Sequence, residues 1–121
     1  MVVVRRDTKE KISVKKDNII RTINELLEKI TDELKTRAKN FLENSITDVL
    51  TYEELEAQLT LEKAGYIRTN WCTDVSCSDH IKEKFKANIL GTKYGEEEKM
   101  FGNCSICGNE AKEVAYISKT Y

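Results

Sequence analysis

Cys72 and Cys77 stand in the pattern C-x4-C and Cys104 and Cys107 in C-x2-C, with 26 residues between the pairs and no other cysteine. Two short thiolate pincers joined by an intervening unit are the sequence form of a tetrahedral Zn²⁺ site. Each pincer supplies two sulfurs about 2.3 Å from the ion, and four thiolates leave no position open for water. The chemistry predicted is therefore structural: a closed site that holds a fold together. His80, in Cys77-Ser-Asp-His80, also has ligand spacing and is the one substitute for Cys72. Because four thiolates already fill the shell, it reads as a solvent-facing residue in the first turn of a helix.

Other uses of the four thiols fit less well. Two disulfides need an oxidising compartment. The first six residues, Met1-Val-Val-Val-Arg5-Arg6, place charge after a three-residue apolar run, the reverse of a secretory signal and far too short. A redox Cys-x-x-Cys would account for Cys104 and Cys107 and leave Cys72 and Cys77 without a purpose. No stretch approaches the roughly 18 apolar residues of a membrane helix. A cytoplasmic protein with bound zinc is the expectation.

Chemistry of other kinds is hard to find. The chain has no glycine-rich phosphate loop, no Ser/His/Asp set and a single histidine. Acidic pairs such as Glu53/Glu54 and Glu96/Glu98 fall where surface residues would, and Trp71 reads as a hydrophobic lid over the metal. Lys and Arg number 20 against 21 Asp and Glu, a net charge of −1, which argues against a dedicated nucleic-acid binder and leaves room for a smaller local contact with RNA. With 40% hydrophobic and 34% charged residues and a mean hydropathy of −0.54, the core must be thin for 121 residues, and a metal clamp would serve it.

The elements that must position the pincers can be read in outline. Val2–Val4 and Ile12–Val14 are short β-prone runs around the polar segment Asp7-Thr-Lys-Glu10, which predicts a hairpin whose turn lacks glycine. Asp17 or Asn18 is placed to cap a long helix. Its apolar residues Ile19/Ile20, Ile23, Leu26/Leu27, Ile30, Leu34, Ala38 and Phe41/Leu42 recur at steps of three and four, predicting one buried stripe over about seven turns. An extended run over Ser45–Leu50 follows. Thr51-Tyr-Glu-Glu54 has the form of a capping box. The helix it opens is expected to run through Leu55 and Leu59 to Ala64, with Gly65 as a left-handed C′ residue. Tyr66–Trp71 alternates and predicts a strand entering the first pincer. Asp79–Phe85 reads as a short helix with an Ile81/Phe85 pair, Asn88–Tyr94 as a strand interrupted by Gly91, and Gly95–Lys99 as a solvated loop. Gly108 directly after Cys107 suits a metal knuckle, and Val114–Ser118 is the final strand. Strands and helices alternate without the regular spacing of βαβ units. The predicted class is α+β, in two layers, with a mixed or antiparallel sheet packed against helices and a four-cysteine zinc site.

Taken together, four stretches resemble the C-terminal part of prolyl-tRNA synthetase of the archaeal/eukaryotic type. Val2-Val-Val-Arg5-Arg6-Asp7-Thr8 is similar to the segment closing that enzyme's anticodon-binding domain, and Leu26-Leu-Glu-Lys-Ile30 to the long helix after it. Trp71-Cys72-Thr-Asp-Val-Ser-Cys77 with Ile81-Lys-Glu resembles the family's first zinc pincer and its helix. Cys104-Ser-Ile-Cys107-Gly108 and Val114-Ala-Tyr-Ile-Ser-Lys-Thr-Tyr121 resemble the second pincer and the C-terminal strand. The likeness implies Cys72, Cys77, Cys104 and Cys107 as zinc ligands, no ligand at His80, and a role for the Tyr121 carboxylate near the catalytic site. Two departures stand out: Thr73 where the family commonly has glycine, and Lys9 in place of the glycine after Arg-Asp-Thr.

The resemblance implies terminal strands of the anticodon-binding domain over residues 1–15 and a C-terminal zinc-binding domain over 16–121. It implies a class II parent ligase that attaches proline to tRNA(Pro) using ATP, a homodimer in its intact form. None of the residues binding ATP, proline or the tRNA end belongs to this stretch. The expectation is a non-catalytic fragment cut at a domain edge, with Met1 a start codon added or retained, whose partners are the parent's catalytic and anticodon-binding domains. The runner-up is a free-standing zinc-ribbon adaptor that binds protein or nucleic acid; an autonomous thiol oxidoreductase is the distant third.

Overall fold

The computed structural model describes residues 1–120, and the expectation for Tyr121 lies outside them. The chain divides into two compact units, Met1–Leu42 and Glu43 onward. No helix among the described residues is long and apolar enough to cross a membrane.

In the first unit, β1 (Val2–Val4) and β2 (Lys11–Ser13) form the antiparallel hairpin, with Val3 opposite Ile12. Its turn closes without glycine because Lys9 itself takes the left-handed conformation, φ 62°, and donates its N–H to the Arg5 carbonyl oxygen at 2.9 Å. The Arg5 side chain is buried. It donates to both carboxylate oxygens of Asp7 (3.1 and 2.7 Å) and both of Glu33 (3.3 and 2.6 Å) on the following helix. Two forked pairs on one guanidinium suit its planar geometry. They pull the Asp7 carboxyl down to about 2 and hold Glu33 below its ordinary value. A carboxylate depressed in the folded state contributes stability above its unfolded value of about 4 and loses it as pH falls through the folded value. The hairpin is therefore expected to loosen between about pH 4 and pH 2. The amide shifts of Val3 and Ile12 should report this in an acid titration, and Asp7→Asn should flatten the response.

The long helix, α1, spans Ile19–Asn44, 26 residues or about seven turns. Asp17 and Asn18 do not cap it: they lie inside a 3₁₀ turn, Lys16–Asn18, whose entry at Lys15 has no side-chain cap. The helical periodicity is real, but no residue of α1 is buried among the described residues, and Ile20 is 74% exposed. Of the stripe that the sequence predicts as buried, Ile19, Leu26 and Ile30 are half-buried, while Ile20, Ile23, Leu27, Leu34 and Leu42 form an open apolar edge.

The second unit is a two-layer α+β domain. Its sheet runs in the order β3 (Ile46–Val49), β4 (Tyr66–Trp71), β6 (Glu113–Lys119), β5 (Ala87–Gly91). β3 and β4 are parallel and the other pairs antiparallel. A parallel pair of neighbours needs a crossover, and α2 (Tyr52–Thr60) supplies it, so the chain does contain one βαβ unit. Thr51 caps α2 through the predicted box: the Glu54 N–H donates to Thr51 Oγ1 at 3.3 Å, and Glu54 Oε2 accepts from Thr51 N at 3.3 Å and Leu50 N at 2.9 Å.

The helix ends earlier than predicted. Leu61 is already extended, with ψ 141°, and Gly65 has no left-handed φ. The glycine is needed for a different reason. Tyr66 N–H bonds to the Ser45 carbonyl oxygen at 2.9 Å to start the β3–β4 pairing, and a Cβ on Gly65 would collide with that oxygen.

Leu55 and Leu59 of α2 and Ile81 and Phe85 of α3 (Val75–Phe85) pack on Val49, Ile67, Ala87 and Ile117 of the sheet. The loop after β5 returns over the polar side chains of the sheet. Arg68 forks onto Asp48 at 2.8 Å twice and donates to Glu98 at 3.0 Å, and the Tyr116 hydroxyl donates to Glu98 at 2.8 Å. Glu98, read from sequence as a solvated loop residue, is a tie between that loop and two central strands.

Candidate metal centre

β4 delivers the first pincer and the loop before β6 delivers the second. Cys72 follows the last residue of β4. Thr73 then turns the chain with φ 65°, and Asp74 caps α3 by accepting from Ser76 N–H at 2.9 Å. Helix α3 begins at Val75, four residues before the sequence-predicted start, so Cys77 sits in its first turn. The C-x4-C spacing is the length of a strand end, one tight turn and half a helical turn. In the second pincer the Cys104 carbonyl oxygen accepts from Gly108 N–H at 2.8 Å, and Cys104 N–H donates to the Asn109 carbonyl oxygen at 2.8 Å; Gly108 has the left-handed φ of 76° that this knuckle requires.

The sulfurs of Cys72, Cys77, Cys104 and Cys107 all lie within 4.8 Å of one another. Cys72 Sγ is 3.6 Å from Cys77 Sγ and 3.6 Å from Cys107 Sγ. A tetrahedron with metal–sulfur bonds of about 2.3 Å has edges of about 3.8 Å. The four thiols are unlinked, and these separations are far beyond the roughly 2.05 Å of a disulfide. The donor set therefore fits a closed four-sulfur site.

The electrostatics of the buried thiols is divided between burial and local donors. Burial raises the Cys72 thiol, and burial together with the sulfurs of Cys107 and Cys72 raises that of Cys77. Burial works on Cys104 too, but backbone N–H groups of Cys107, Ile106 and Cys72 aimed at its sulfur outweigh it and hold the thiol low. N–H groups directed at sulfur are what a thiolate needs once it is out of water, and they fix its orientation. Trp71 and Ile106 pack against this cluster, which gives Trp71 the covering place expected of it. His80 stands outside, exposed on α3, its Nε2 2.8 Å from the Tyr52 hydroxyl oxygen.

Thr73 adopts a conformation that suits glycine, and a β-branched residue there carries real strain. Thr73→Gly is expected to stabilise the protein by about 1 kcal/mol, the strain relieved less the added freedom of the unfolded chain. Urea denaturation of the metal-loaded protein checks this. Thr73, a departure from the resemblance drawn on sequence, is a side chain tolerated in a glycine geometry.

Sequence reasoning missed Thr69, Asn70 and Ser105, which are almost fully buried. The available signal was a pair of polar residues immediately before Trp71-Cys72 and a serine between the last two cysteines.

A small α+β domain with four cysteines gathered beyond the end of the interior strand β4 is thus the class that fold and site define. A family model described as prolyl-tRNA synthetase, C-terminal, matches residues 52–121. Proline–tRNA ligase of Thermococcus kodakarensis is 38% identical over 123 residues, covering 99% of this chain and 25% of that protein. The Pyrococcus horikoshii ligase is 36% identical, covering 100% and 26%. The crystal structure of prolyl-tRNA synthetase from Cryptosporidium parvum complexed with halofuginone and AMPPNP matches with a TM-score of 0.81 at 27% identity, over 99% of this chain and 25% of that one. The chain belongs to the prolyl-tRNA synthetase C-terminal family, and it spans about a quarter of the length of the curated relatives it matches.

Proposed function

We propose that Cys72, Cys77, Cys104 and Cys107 bind one Zn²⁺, and that this stretch is the non-catalytic, metal-stabilised C-terminal domain of a cytoplasmic ligase that joins proline to tRNA(Pro) using ATP. The observation that carries the reading is the convergence of four unlinked sulfurs, from a strand end, a helix and a knuckle, at nearly tetrahedral separations. Zinc bound there supplies cross-linking, since four thiolates leave no site for water or substrate. The chain's own residues supply the frame: β4 and α3 hold the first pincer, and the Gly108 turn shapes the second.

The partners are the catalytic and anticodon-binding domains of the parent chain, itself a homodimer. Residues 1–15 would continue the anticodon-binding domain and 16–121 form the zinc-binding domain. The open apolar edge of α1 supports the idea that other parts of the parent cover it, because an exposed apolar stripe of that length is unusual on a free-standing domain. ATP and proline belong to those other parts. The Cryptosporidium parvum enzyme was crystallised with L-proline and AMP, and this chain covers 25% of it.

Elemental analysis should find one zinc per chain, and anomalous scattering at the zinc edge should show one peak among the four sulfurs. The purified chain should form no prolyl-tRNA. Absence of that peak, with the thiols turned apart, would refute the site; prolyl-tRNA formation by this chain alone would refute the non-catalytic role.

A further inference from the structure

Apart from Arg5 in the first unit, the buried polar side chains among the described residues are Thr69, Asn70 and Ser105, and all three join β4 to the loop that carries Cys104. Thr69 Oγ1 is 2.7 Å from Ser105 Oγ and also bonds to the Val49 carbonyl oxygen at 2.9 Å. The Asn70 carbonyl oxygen accepts from Ser105 N–H at 3.2 Å, and Asn70 Oδ1 accepts from Phe101 N–H at 3.0 Å. Between these points the loop passes so close to Asn70 that a Cβ on Gly102 would lie 3.2 Å from Asn70 Nδ2 and 3.3 Å from Leu50 Cδ2. Two residues after Asn70, just past the end of β4, stands Cys72. Both pincers are therefore referenced to one strand, the first by the covalent chain and the second by three hydrogen bonds to consecutive residues.

We propose that Asn70, Thr69 and Ser105 are positioning residues for the metal centre: their buried hydrogen bonds hold the Cys104–Cys107 pincer against β4 in the metal-free protein, so that the ion closes a site already assembled. The inference rests on the reading that the four thiols bind zinc. Buried polar groups keep their geometry because breaking a bond leaves an unpaired group out of water. Partners behind the ligands commonly set metal affinity by 10- to 100-fold.

The test uses the full 121-residue chain, with Co²⁺ as the spectroscopic probe and zinc release to a colorimetric chelator as the rate. Asn70→Ala and Ser105→Ala should release zinc on the order of 10- to 100-fold faster than the unaltered protein and should need more Co²⁺ to reach the full thiolate charge-transfer band. Thr69→Val should do the same, while Thr69→Ser, which keeps the hydroxyl, should restore the original rate. Ile117→Val, a core change in β6 away from the cysteines, should lower thermal stability and leave release unchanged. Should Asn70→Ala fail to fold, Ser105→Ala and the Thr69 pair decide the matter. Release rates for those variants equal to that of Ile117→Val would overturn the proposal. If the unaltered protein takes up Co²⁺ without a thiolate band, the zinc reading itself fails, a result distinct from unchanged release.

Discussion

Replacing Cys104 with serine is expected to empty the metal site and to lower the unfolding temperature by roughly 15 °C, equivalent to about 3 kcal/mol in a domain of this size. Cys104 is 2% exposed and its sulfur is the target of N–H groups from Cys107, Ile106 and Cys72. Serine is a poor zinc ligand at neutral pH, because its hydroxyl stays protonated and its oxygen falls short of the sulfur position. The change would also leave three thiols, two of them buried, without the ion that justified their desolvation. The loss should stop short of complete unfolding, since Leu55, Leu59, Ile67, Ile81 and Ile117 form a core of their own away from the cysteines. Cys107 is exposed, so Cys107→Ser should lose the metal with a smaller thermal penalty. Scanning calorimetry with parallel zinc analysis reads both variants. An unaltered melting profile for Cys104→Ser would mean that the site contributes nothing to folding, and a thiol–disulfide activity that vanished with it would revive the oxidoreductase alternative.

The second large effect concerns a position remote from any cysteine. Gly65→Ala is expected to cost about 2–3 kcal/mol, in the upper range for overpacking, because the added methyl meets a backbone oxygen that cannot rotate away. The oxygen is that of Ser45, which accepts the Tyr66 N–H and so fixes the first rung between β3 and β4. Relief requires the two strands to part where their parallel register begins. Urea denaturation should show a lower midpoint, and hydrogen exchange should show faster exchange at Tyr66. A midpoint within about 0.5 kcal/mol of the original would show that the strand ends yield easily.

Gly65 also shows where reading the chain succeeds and where it stops. A glycine following a helical run has two common uses, and the sequence does not separate them: a left-handed C′ residue, or a contact too close for a side chain. The structure selects the second because β3, twenty residues earlier, comes alongside. The Thr51/Glu54 box was legible since both partners are local, and the Ile81/Phe85 pair for the same reason. The sequence puts Cys77 between elements because Asp74, the cap that starts α3, reads as an ordinary polar residue inside a pincer. The α1 stripe was visible as a period, but a period says which face is apolar and not what covers it. The cysteine cluster was legible as spacing. The polar residues behind it were not, since Thr69, Asn70 and Ser105 acquire their importance only through burial, which depends on distant parts of the chain.

The sheet order has a consequence for how this domain is made. β6, the last strand of the chain, occupies an interior place between β4 and β5, with β5 paired to it alone. During translation β3, α2 and β4 can assemble as they emerge, but β5, which packs on α3, has no strand to pair with until residues 113–119 have cleared the ribosome. The nascent chain must wait with one flank of β4 uncovered, a state that invites chaperones or aggregation. A premature stop shortly before Glu113 would therefore remove the middle of the sheet and unseat β5, where loss of an edge strand would only have narrowed it.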